Sequence, residues 1–113
     1  MALAYPSYAS QPIRSALAAM IGPTESIGGA YAPMLTSEAP IRSFYMNGKA
    51  INFPYPEHID RIRPDYLLFS ERWDNRVLEA LDSNELIQLA EPRHLGTYMG
   101  DDLSVIRIQY LNH

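Results

Sequence analysis

The chain has 113 residues, a formal net charge of −4 and no cysteine. That length holds one domain; the acidic balance, with Lys49 as the only lysine, argues against nucleic acid, whose backbone is held by clustered Lys and Arg; the missing thiols exclude disulfides, cysteine nucleophiles and cysteine-ligated zinc. A hydrophobic share of 47% against 19% charged is enough for one core, the main term that offsets conformational entropy on the order of 100–200 kcal/mol for about 100 residues.

No stretch reaches the roughly 20 apolar residues of a spanning helix. The opening Met1-Ala2-Leu3-Ala4-Tyr5-Pro6 lacks a basic region and breaks at Pro6, so it does not read as a secretory signal. Residues 1–9 read as an irregular lead-in to a single α/β domain spanning 1–113. From Ser10 to about Ile21, the residues Ile13, Leu17 and Met20 recur at i, i+4, i+7, which predicts a helix that Gly22-Pro23 stops. The stretch through Gly28-Gly29 reads as loop, and that pair, following no clear strand and preceding no capped helix, is a weak phosphate cradle.

Pro33 to Thr36 is a short apolar run suited to a strand. Ser37 can cap a following helix, with Glu38 near its positive end, Pro40 in its first turn, and Ile41, Phe44 and Tyr45 along it until Asn47-Gly48. Ala50 to Phe53 is the next expected strand, and Pro54 and Pro56 open a short helix bearing Ile59 and Ile62 that Pro64 ends. Asp65 to Phe69 is the clearest strand, since a continuous apolar run suits a strand covered on both faces. Ser70 then caps a helix carrying Trp73, Val77, Leu78 and Leu81. Glu85 to Glu91 and Leu103 to Tyr110 read as strands with no helix between; Ile106, Ile108 and Tyr110 alternate with Arg107 and Gln109 as on a strand with one wet face. Gly96 and Gly100-Asp101-Asp102 supply turn chemistry for a closing hairpin. The expected fold is therefore α/β: a small Rossmann-like sandwich of parallel strands with crossover helices, followed by a C-terminal antiparallel hairpin.

In such a sheet, ligands sit beyond the carboxyl ends of the parallel strands. Three loops are expected there: Thr36-Ser37-Glu38, Asn52-Phe53-Pro54 and Ser70-Glu71-Arg72-Trp73-Asp74. Glu38, Glu71, Arg72 and Trp73 form the candidate ligand-binding set, because an aromatic beside Arg and carboxylates can stack on a sugar ring and hydrogen-bond its hydroxyls. The plainer reading makes Ser37 and Ser70 helix caps, Glu38 and Glu71 dipole partners, and Trp73 core. Glu38 and Glu71 as an acid and base pair would make a small hydrolase, the least favoured reading. Glu57, His58 and Asp60 are the only local metal-like cluster, and their spacing does not place three ligands on one helix face, so no metal site is expected. No serine sits in a nucleophile elbow; no catalytic residue and no cofactor are assigned.

From about Pro33 to Tyr110 the order of features resembles the soluble C-terminal domain of polytopic membrane glycosyltransferases of the protein mannosyltransferase and aminoarabinose transferase type. The resemblance rests on Met34 to Pro40, Phe44 to Lys49 leading into Ala50 to Pro54, Ile62 to Ser70, and the closing Val105 to Ile108. It implies an extracytoplasmic domain that follows the last spanning helix of an enzyme using a polyprenyl-phosphate sugar. The partners implied are the transmembrane portion of the same protein and a glycan or lipid-linked sugar. The family's catalytic acidic residues belong to loops of the membrane portion, so the domain is expected to be non-catalytic, a lid or an acceptor-docking module. A free-standing small α/β binding or interaction module, dimeric through an exposed sheet edge or the Tyr-rich N-terminus, is the alternative.

Overall fold

The computed structural model describes residues 5–44, 61–70 and 75–111. The first helix, α1, runs Tyr5–Met20, starting inside what the sequence suggests is an irregular lead-in. Pro6 lies in its first turn, where the missing N–H has no helical partner in any case. Ile13, Leu17 and Ile21 are buried from one face of the chain here, and Gly22 ends the helix by donating its N–H to Glu25 Oε1 at 2.9 Å.

Three expectations are corrected in the residues that follow. The region read as loop holds β1 (Ser26–Gly28), every residue of which is buried. The apolar run read as a strand is instead the short helix α2 (Ala32–Leu35), with Pro33 in its first turn. The segment expected to be a helix from Ser37 through Tyr45 turns instead and enters strand β2 (Arg42–Phe44); β-branched Ile41 and aromatic Phe44 suit the pleated edge next to β1. Ser37 caps no helix: its hydroxyl donates back to the Met34 carbonyl. The strand expected at 50–53 and most of the helix after it lie outside the described residues.

Strand β3 (Tyr66–Ser70) is fully buried, as its unbroken apolar run foretold. Helix α3 (Asn75–Asp82) is followed by β4 (Ile87–Leu89), β5 (Arg93–Tyr98) and β6 (Asp101–Tyr110). The described strands form one six-stranded mixed sheet in the order β2-β1-β3-β6-β4, with β5 also paired to β6. β1 is parallel to β2 and to β3, whereas β6 is antiparallel to β3, β4 and β5. β3 pairs with residues 103–107 of β6, so β5, which pairs with 101–105, occupies the other edge. β4 continues that edge along 108–110. Pro92 stands in the gap between β4 and β5, because it has no N–H to give to the ladder.

The sheet is covered on both faces. Tyr66, Leu68, Leu103 and Val105 pack with Ile13, Leu17 and Leu35 beneath α1 and α2. Their neighbours Leu67, Phe69, Ile106 and Ile108 pack with Leu81 of α3 and Ile87. This alternation is the period-2 rule of a strand applied to both sides at once. The alternation expected from Ile106 to Tyr110 is present: Arg107 and Gln109 are exposed on the side where Leu103 and Val105 are buried. At the amino ends of the parallel strands, polar groups close the layer instead. Asp65 Oδ2 accepts from the Ser26 N–H at 2.9 Å, and Arg107 donates to the Tyr66 hydroxyl at 2.7 Å while pairing with Glu25 at 3.1 Å.

Candidate functional site

The strands change direction of travel at β1. The connection to β2 leaves toward one edge, and the chain then returns past β1 to form β3 on its other side. α2 belongs to the α1 side of the core, and Ile62, just before β3, packs on the α3 side. The carboxyl ends of β1 and β3 lie side by side, the position where open sheets with parallel strands receive ligands.

Gly29 follows directly on the end of β1. Its N–H donates to the Phe44 carbonyl at 3.2 Å, and at φ +143° a side chain would put its Cβ 2.3 Å from the Leu68 carbonyl oxygen. Only glycine allows the backbone of β1 to pass so close to β3 here. Tyr31 stands beside it, donating its hydroxyl to Asp101 Oδ2 at 2.7 Å and meeting the ring of Tyr98 edge-on with centroids 5.4 Å apart. That pair fastens the end of β1 to the tip of the β5–β6 hairpin. Ser70, 3% exposed, closes β3 at the same end. The Gly28-Gly29 pair thus has both the preceding strand and the following helix that its sequence context does not reveal. β1 is hard to see because Ile27 is the only large apolar residue in it.

Glu38 lies elsewhere. It follows α2 and not a strand. It lines a surface groove of about 180 Å³ between α1 and the segment after α2. From α1 come Gln11, Arg14 and Ser15, which the sequence reading did not single out although their i, i+3, i+4 spacing puts them on one helical face. Arg14 is half-buried and held in place, its Nε donating to Ser10 Oγ at 2.9 Å; Ser10 itself is 1% exposed. Glu71, Arg72 and Trp73 lie outside the described residues, as do the Asn52-Phe53-Pro54 loop and the cluster of Glu57, His58 and Asp60. Among the described residues no three His, Asp or Glu side chains gather as metal ligands, and no helix is long and apolar enough to cross a membrane.

The class that fold and site define is a mixed α/β chain with a charged surface groove. No family model matches the chain, and neither a curated protein nor a solved structure does.

Proposed function

We propose that this chain is a non-catalytic accessory domain of a membrane-bound glycosyltransferase that draws on a polyprenyl-phosphate sugar, and that it serves in acceptor docking or as a lid on the extracytoplasmic face. One observation carries the reading. Within Pro33 to Tyr110, β3 is followed by the long β6, which pairs antiparallel with β3 and with β5, as the closing part of the resemblance implies; the parallel β1 lies outside that span, and the strand expected at Pro33 to Thr36 is helix α2. In this reading the parallel half is Rossmann-like, the strand ends at Gly29 and Ser70 face the acceptor or the sugar, and Glu71, Arg72 and Trp73, which follow Ser70 in sequence, supply the sugar contact.

The test has two arms. The gene read upstream of Met1 should encode several apolar spans, and deleting the domain from that parent should abolish transfer to the acceptor while leaving the membrane portion folded. The purified 113-residue chain should transfer and hydrolyse nothing; glycosyl transfer by it alone, or a parent without spans, sinks the proposal.

The alternative, a free-standing binding module, is favoured by the groove at Arg14 and Glu38, which needs no other part of a larger enzyme. Dimerisation through the β5 edge is the weaker form of that alternative. Pro92, the exposed Arg93 and His94, and the register shift between His94 and Gly96 are devices that blunt an edge against strand addition.

A further inference from the structure

We infer that the groove between α1 and the segment after α2 binds a small apolar α-amino acid, with Arg14 taking its carboxylate and Glu38 its ammonium. The groove's two walls carry opposite charges that do not neutralise each other. Arg14 and Glu38 both line it, yet they form no ion pair with one another, and among the described residues Glu38 has no ion-pair partner. Arg14 spends its Nε on Ser10. That bond orients the guanidinium and leaves the two Nη groups, which carry the forked geometry a carboxylate accepts. Because Ser10 is buried, the fork is held before any ligand arrives, which lowers the ordering cost of binding.

The remaining lining determines what lies between the charges. Ala18, Leu35 and Ala39 supply an apolar floor, and Leu35 is 2% exposed and fixed in the core, so the floor does not collapse. Gln11 uses its Nε2 toward Ser15 Oγ at 3.4 Å, which leaves its carbonyl oxygen as a second acceptor for an ammonium. The volume of about 180 Å³ lies below the roughly 300–1,000 Å³ of sites for larger organic ligands. A dianion such as a phosphate is disfavoured by Glu38, and a simple amine leaves Arg14 unused. A molecule carrying both charges on one carbon and a short apolar side chain satisfies all three surfaces. The groove is lined only by α1, Leu35 and the segment after α2, so its ligand does not depend on the proposed parent enzyme.

Amide chemical shifts of the whole chain titrated with L-leucine, L-leucinamide and isocaproate provide the test. Leucine should produce saturable shifts at residues 11–18 and 35–39, and each analogue, lacking one charge, should bind at least about tenfold more weakly, the factor that corresponds to one lost charged contact. Glu38→Gln, at an exposed position, should weaken leucine by about tenfold and leave isocaproate unchanged. Arg14→Gln should weaken leucine and leave leucinamide unchanged; if that variant fails to fold, the Glu38→Gln arm and the two analogues still decide. Saturable shifts confined to other residues, no saturation with leucine, or equal binding of leucine and isocaproate would overturn the inference.

Discussion

The parallel and antiparallel halves of this sheet are built by different means. In the parallel half, β1 and β2 are three residues long, too short for their ladders to hold them. In the antiparallel half, β6 runs for ten residues and is paired along both edges. A parallel pair also needs a crossover, so its contacts are made between residues distant in sequence, whereas a hairpin closes locally. The parallel half is therefore secured by side chains and close approaches at its ends: Asp65 on Ser26, Gly29 against Leu68, and Tyr31 on Asp101. The lesson is that short parallel strands are specified at their termini, and long antiparallel ones along their length.

Substitutions should break this contrast in a definite order. Gly29→Ala should have the largest effect, a loss of about 3–5 kcal/mol, because the new Cβ meets backbone and the conformation is one that only glycine holds readily. Chemical denaturation measures the loss, and amide exchange in the same variant asks whether the hairpin half survives alone; retained protection at Val105 and Ile106 would show two separable units. Leu17→Ala, which empties a fully buried site joining α1 to β6, should cost about 3 kcal/mol. Asp65→Ala should cost about 2 kcal/mol by leaving the Ser26 N–H without its acceptor, and its exchange signature should be confined to β1 and β2. If that variant instead loosens β6, the division between the halves is wrong.

Smaller changes sharpen the picture. Tyr31→Phe should cost about 1 kcal/mol, since Asp101 loses one donor and the ring contact with Tyr98 remains. Met99→Asn should stabilise by about 0.5–1 kcal/mol in a thermal melt. Met99 at φ +53° and Gly100 at φ +84° make the two-residue turn between β5 and β6, and that turn favours Asn-Gly.

Much of the antiparallel half was legible in the residues themselves. The run Asp65 to Phe69 and the alternation from Ile106 to Tyr110 announce β3 and β6, and Gly100 marks a turn, but β5 (Arg93–Tyr98) takes up residues expected to be turn, Gly96 among them. The parallel half was harder, for a physical reason. Pro33 to Thr36 is an apolar run too short for periodicity to separate strand from helix, and Ile41 to Phe44 is equally ambiguous. Of the candidate ligand residues, Glu38 does line a groove. Its companions there, Arg14 and Gln11, come from a helix whose pattern reports only its buried face.

Composition and pattern by themselves determined a mixed α/β chain, a doubly covered central strand and a long C-terminal strand after a glycine turn, because those depend on local periodicity and on turn residues. Tertiary structure alone decided that Ser26 to Gly28 is a strand, that Gly29 must be glycine, and that Glu38 shares a groove with Arg14. Each of these is set by a neighbour far away in sequence: Asp65 for Ser26, the Leu68 carbonyl for Gly29, and α1 for Glu38. A contact between distant residues leaves no period in the chain from which it can be read.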